Sequence, residues 1–155
     1  MAKAAVGEAV PAFSAESTDG TVTEKDLSGR KTVLYFYPKD NTPGCTLEGQ
    51  QFRDLHAQFQ RAGVTVYGVS RDSLRSHERF CDKQSFPFAL ISDPDETLCT
   101  LFDVIREKNM YGKKVRGIER STYLIDAAGV VREEWRKVKP DGHAAEVLER
   151  AKQLG

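Results

Sequence analysis

The sequence has no apolar run approaching the roughly 18 residues that a membrane-crossing helix needs. Its first residues, MAKAAVGEAVPAF, carry one lysine and no apolar block, so no secretory signal is legible. Neither sign of charge is in surplus. The 23 Lys and Arg stand against 23 Asp and Glu, interspersed along the chain. A nucleic-acid binder concentrates basic residues, and an anionic membrane surface asks for the same, so neither partner is expected. Cysteine is scarce and odd in number: Cys45, Cys81 and Cys99. That excludes a static disulfide framework and fits a reducing, cytoplasmic compartment. No CxxC, no HExxH and no glycine-rich phosphate loop occurs, and no flavin, haem or nicotinamide fingerprint. His77 and Cys81 stand four apart, a possible metal pair, but two ligands do not make a site. No cofactor and no metal are therefore expected, and any redox chemistry has to be carried by sulfur.

What is present is an alternation of strands and helices within 155 residues, a length that fits one domain over residues 1–155. Asp19-Gly20 marks a hairpin between Pro11–Ser17 and Thr21–Val22. KTVLYFY (31–37) and VTVYGVS (64–70) are short, almost wholly apolar and rich in β-formers, so both read as buried strands. Between them Phe52, Leu55, Phe59 and Ala62 keep helical spacing over residues 45–62, and Gly63 closes that helix. Ser73 can cap a helix running to about Gln84. A strand at 89–92, a short helix at 96–102 and a hairpin of 121–126 with 130–138 follow. The last helix is capped by Asp141, with Ala145, Val147, Leu148 and Ala151 on its apolar side and His143 solvated in its first turn. The βαβ order predicts parallel strands, and the later hairpin adds antiparallel ones. The expected fold class is α/β: a thioredoxin-like three-layer sandwich, a mixed sheet with helices on both faces and an N-terminal hairpin.

Cys45 draws attention by position. The segment Tyr37-Pro38-Lys39-Asp40-Asn41-Thr42-Pro43-Gly44-Cys45 leaves a buried strand and opens a helix, the corner where open α/β folds place their sites. Free N–H groups in the first turn favour a thiolate there. Thiolate enrichment alone is too small an effect for an enzyme, so groups that stabilise a transition state must stand nearby. Thr42, three residues earlier, offers a hydroxyl that both donates and accepts. Arg120, at the start of the strand after residue 120, offers a cation. On position alone, Cys45 as an inert small residue, Thr42 as turn chemistry and Arg120 as a surface ion pair remain open.

The run YPKDNTPGCT resembles the active-site signature of the peroxiredoxin Q subfamily, also called bacterioferritin comigratory protein, in which Pro, Thr and Cys stand where Pro38, Thr42 and Cys45 do. YGKK…GIERSTYLID resembles a second block of that family, whose Arg is Arg120 here, and VREEWRKVKPDGHAAEVL resembles its C-terminal block. The resemblance spans nearly the whole chain. It implies a monomeric thiol peroxidase with Cys45 as the peroxidatic residue and Pro38, Thr42 and Arg120 around it. The substrates would be hydrogen peroxide and organic hydroperoxides, and thioredoxin the reductant.

Attack on a peroxide leaves a sulfenic acid that something must reduce. Family members that carry a resolving cysteine five residues on have it where this chain has Gln50. Others carry it in a segment like FCDKQSF, which here makes Cys81 the resolving residue, although its helical spacing from Leu74 reads equally as core packing. Cys99, among Leu98, Leu101 and Phe102, reads as a core thiol and the fallback. Other readings stay in parallel. One is a one-cysteine peroxidase rescued by thioredoxin or by glutathione and glutaredoxin. Another is a thioredoxin-type dithiol oxidoreductase, which CTLE at 45–48 speaks against. The last is a non-enzymatic redox sensor or holdase.

Overall fold

The computed structural model describes residues 3–154, and the side chain of Met110 lies outside that description. Among the described residues nine strands and five α-helices follow one another, with a short 3-10 turn at Glu24–Leu27. β1 (Ser14–Ser17) and β2 (Gly20–Thr23) form the N-terminal hairpin. β3 (Lys31–Phe36), α1 (Pro43–Asp54), α2 (His56–Arg61), β4 (Val64–Ser70), α3 (Leu74–Gln84) and β5 (Ala89–Ser92) follow. After them come α4 (Thr97–Leu101), β6 (Ile105–Met110), β7 (Lys113–Ile118), β8 (Ser121–Ile125), β9 (Val131–Trp135) and α5 (His143–Gln153).

Seven strands build one sheet in the order β2-β1-β5-β4-β3-β8-β9. β3, β4 and β5 run parallel at its centre, while β8 joins β3 antiparallel and β1 joins β5 antiparallel. Alternation along β3 assigns the two faces. Val33, Tyr35 and Tyr37 enter a core with Phe52, Phe59, Phe80 and Val147, under α1, α2, α3 and α5. Leu34 and Phe36 enter a second core with Leu98, Cys99 and Phe102 around α4. This is the mixed, two-faced sheet expected of the sequence.

Four details differ from the sequence reading. The helix expected over 45–62 is two helices, because Leu55 leaves helical geometry at φ −99°, ψ 2°. Gly142, with φ 80°, precedes α5 in place of an Asp141 cap, and Asp141 Oδ1 instead accepts a bond from Gln51 Nε2 at 2.7 Å. Ala144 rather than Ala145 faces the core, and His143 is buried, its Nε2 2.8 Å from Thr122 Oγ1. A side-chain partner on β8 removes the reason to seek water, and burial pushes its pKa down. Finally, β6 and β7 form a separate two-stranded ribbon. It is tied back where Glu96 receives both Arg71, at 3.0 Å, and Arg116.

α1 meets the segment after α3 through a glycine. A Cβ at Gly49 would lie 2.4 Å from Cζ of Phe86, whose ring packs against Phe80 and Phe88. Alanine inside a helix ordinarily gains about 1 kcal/mol over glycine. Here the contact reverses the sign, since Phe86 must move out of its stack. Gly49→Ala is expected to lose about 1–3 kcal/mol in urea unfolding, the usual range for overpacking; a gain would show that the ring yields freely.

Candidate functional site

The antiparallel register of β8 on β3 assembles the site. Phe36 pairs with Ser121, so the residue before β8, Arg120, arrives beside the end of β3 and the start of α1. Two backbone bonds pin its strand end: Glu119 N donates to Val104 O at 2.7 Å and Val138 N to Arg120 O at 3.0 Å. Pro43 lies in the first turn of α1, where a missing N–H costs nothing, and Thr42 is the N-cap. Thr46 N donates to Thr42 O at 2.8 Å, so Cys45 sits within the first turn as expected. Gly44 leaves room for the cation, because a Cβ there would stand 3.2 Å from Arg120 Nη2.

Arg120 Nη2 lies 3.4 Å from Cys45 Sγ, and the sulfur's residue is only 2% exposed. The sequence-predicted pair is thus brought together. Thr42 is placed beside them, but its hydroxyl donates to Lys39 O at 2.9 Å and makes no cap bond. Its lone pairs stay open to an incoming donor. Pro38 is exposed just past β3. Cys81 lies on α3, half-buried, against the same core that holds Cys45, and the three cysteines are free thiols. Burial pushes the Cys81 thiol up to about 11. Burial, reinforced by Asp93, pushes Cys99 far higher, and Cys99 is fully buried in the core, where the sequence suggests it.

Sequence reasoning missed Glu48. One turn after Cys45 on the same side of α1, its carboxylate is wholly buried and receives Arg120 Nη1 on Oε1 at 2.7 Å. Its Oε2 has no partner. Burial raises its pKa from 4.5 to about 7, and Arg120 only partly opposes the rise. One guanidinium therefore serves two anion-forming groups, and protonation of Glu48 leaves the cation to the sulfur. The signal was present: Glu48, Phe52 and Leu55 fall in one stripe at helical spacing, and a charge in such a stripe asks for a buried partner.

It also missed a polar knot on the other side of the loop. Asp40 Oδ1 accepts from Tyr37 at 2.6 Å, and Oδ2 accepts from Ser76 Oγ at 2.8 Å and meets His77 Nδ1 at 2.7 Å. His77 Nε2 reaches Ile91 O at 2.9 Å. Both ring nitrogens are thereby engaged, so His77 does not pair with Cys81 in a metal site.

A cationic side chain on a helix-start thiol, walled by apolar residues, can stabilise a thiolate and the charge that develops on a leaving oxygen. The comparisons agree with that chemistry. The AhpC/TSA family pattern matches residues 6–134. Peroxiredoxin Bcp of Xanthomonas campestris is 60% identical over 121 residues, 78% of this chain and 76% of that protein. A cysteine variant of Xylella fastidiosa PrxQ superposes with a TM-score of 0.92, at 45% identity over 99% of each chain. Bacterioferritin comigratory protein of Xanthomonas campestris superposes with a TM-score of 0.88, at 51% identity over 92% of this chain and 91% of that one. That structure comes from trapped intermediate and ligand complexes bearing on its alkyl peroxide reduction activity. A family pattern across most of the chain, with relatives this similar, shows that the protein belongs to the AhpC/TSA family and, within it, to the peroxiredoxin Q/Bcp thiol peroxidases.

Proposed function

We propose that Cys45 is the peroxidatic residue and that hydrogen peroxide and organic hydroperoxides are its substrates. The observation that carries this is the Arg120 guanidinium on a buried helix-start sulfur. The thiolate attacks the terminal peroxide oxygen. An S–O bond forms, the O–O bond breaks, and the second oxygen leaves as alkoxide or hydroxide and takes a proton. Arg120 stabilises both the thiolate and the departing charge, Thr42 accepts from the peroxide O–H, and Pro38 walls the approach from the strand side. The chain acts as a single-domain monomer in the cytoplasm. Among the described residues the exposed large apolar side chains are Val6, Leu47 and, on the β6–β7 ribbon, Tyr111 and Val115, and no helix is long and apolar enough to cross a membrane.

Cys81 then resolves the sulfenic acid: its sulfur bonds to that of Cys45 and water leaves. A thioredoxin dithiol restores both thiols by exchange. In the folded arrangement Cys81 is a poor attacker, because its thiol titrates near 11. Local unwinding of α1 or α3 would both bring the Cα atoms within the roughly 7 Å a disulfide demands and return the thiol to water. That same high value favours a second reading, a one-cysteine enzyme in which an external thiol rescues Cys45. Cys81→Ser separates them. It is expected to consume the first equivalent of peroxide at wild-type speed, then stall with thioredoxin or climb to sulfinic acid, as read by quenched-flow mass spectrometry. Turnover equal to wild type would assign the protein to the one-cysteine class.

A further inference from the structure

The knot around Asp40 joins the two segments that disulfide formation must rearrange. Asp40 lies in the loop five residues before Cys45, and His77 lies one turn before Cys81 on α3. Their side chains are 3% and 0% exposed. Ile91 O can only accept, so His77 Nε2 carries a hydrogen. One further proton is then shared between Nδ1 and Asp40 Oδ2. Asp40 also receives the hydroxyls of Tyr37 and Ser76, so three side chains converge on its carboxyl group. The loop backbone is held as well, since Asp40 N donates to Asp72 Oδ2 at 3.0 Å and Ser70 Oγ donates to the same oxygen at 2.5 Å. Arg79 and Lys83 of α3 line the hollow over Asp40 from outside. Asp40, Asp72 and His77 come within 4.8 Å of one another, but hydrogen bonds already engage Asp40 Oδ2, Asp72 Oδ2 and both His77 ring nitrogens, which speaks against a cation there. None of the knot's bonds reaches Cys45, Arg120 or Glu48.

We propose that the Asp40–His77 pair, with the Ser76 strap, is a positioning latch. It holds the loop before Cys45 against the helix carrying Cys81 in the peroxide-reacting arrangement, and its opening limits the rate at which Cys81 resolves the sulfenic acid. A buried, hydrogen-bonded side-chain pair is well suited to this, because its two halves sit on different elements and neither can leave without exposing the other. The latch sets a division of labour. Closed, it presents Cys45 to peroxide; open, it frees both sulfurs to meet. It rests on the reading of Cys81 as the resolving residue.

The test uses the full-length reduced protein, hydrogen peroxide and quenched-flow mass spectrometry, which reads sulfenic acid and disulfide separately. Ser76→Ala removes one strap from a partly exposed position and is expected to fold. His77→Gln keeps an amide donor for Ile91 O while losing the contact with Asp40. Peroxide attack should stay within about twofold of wild type in Ser76→Ala. Formation of the Cys45–Cys81 disulfide should accelerate about tenfold in Ser76→Ala, the scale of one bond to a charged group, and more in His77→Gln. Sulfinic acid at high peroxide should fall in step. Amide exchange should speed up over residues 37–46 and 74–84 and not across β3, β4 and β8. In wild type, the far-downfield imidazole proton of His77 should vanish on oxidation. A disulfide that forms at the wild-type rate in both variants overturns the latch and leaves Cys81 as the resolving residue. Absence of any Cys45–Cys81 disulfide in wild type overturns the resolving role and the latch with it.

Discussion

Serine at position 45 is expected to abolish peroxide reduction while the fold survives. The hydroxyl has the shape of the thiol on a smaller scale, and the nearby Arg120 Nη2 can donate to it, so the buried hydroxyl keeps a partner. Unfolding stability should therefore stay within about 1 kcal/mol of wild type. Chemistry should not. An alcohol does not ionise near neutral pH, and no cofactor fingerprint stands in the sequence to carry the electrons instead. Nor do the other thiols offer a substitute, since burial holds Cys81 near 11 and Cys99 above that, where thiolate is scarce. Peroxide consumption with a thiol reductant should drop below about 1% of wild type, given the factors of a million or more at stake in an enzymatic step. Retention of more than a few per cent, with the urea midpoint unchanged, would remove Cys45 from its role.

How far the sequence reaches depends on what kind of order each segment has. The parallel centre was legible because KTVLYF and VTVYGVS are covered on both faces and therefore almost wholly apolar. α3 was legible from its cap, Ser73, whose hydroxyl accepts from Ser76 N. The β6–β7 ribbon was not, since only its base, Ile105 and Ile118, reaches the core and its strands IREKNM and KKVRGI carry neither alternation nor an apolar run. The meeting of Cys45 with Arg120 is a fact of register, 75 residues apart; its place at a strand entry made Arg120 one candidate cation, and the family block singled it out. Glu48, Asp40 and His77 escaped for a shared reason. Each is a polar residue buried against a partner distant in sequence, and periodicity reports which way a residue faces but not what it meets. His77 and His143 illustrate the cost: one was weighed as a metal ligand and the other as solvated, and both are buried with hydrogen-bonded rings.

Removing the Arg120 guanidinium should separate catalysis from stability in one residue. Arg120→Ala takes away the cation at 3.4 Å from the sulfur, and the reaction with peroxide should slow by roughly 10²-fold or more, the scale of losing one preorganised contact. It also strips Glu48 of its one charged partner among the described residues. A buried carboxylate left alone costs about 3–5 kcal/mol. The loss should depend on pH. In the native protein Glu48 titrates at about 7 against 4.5 for the free group, so the folded state holds a proton that the unfolded state has released. Stability from this group is therefore fully present below about pH 4.5 and declines as pH rises through 7. Without Arg120 the decline should extend to higher pH, making the variant much weaker at pH 8 than at pH 5. Glu48→Gln supplies the discriminating measurement. An amide has no charge to strand, so in the Arg120→Ala background it should recover about 1–3 kcal/mol at pH 8 and flatten the pH profile. It should not recover the peroxide rate, because the sulfur still lacks its cation. Rescue of stability alone would assign the guanidinium two separable jobs, whereas rescue of both would mean that Arg120 matters to Cys45 only by neutralising Glu48.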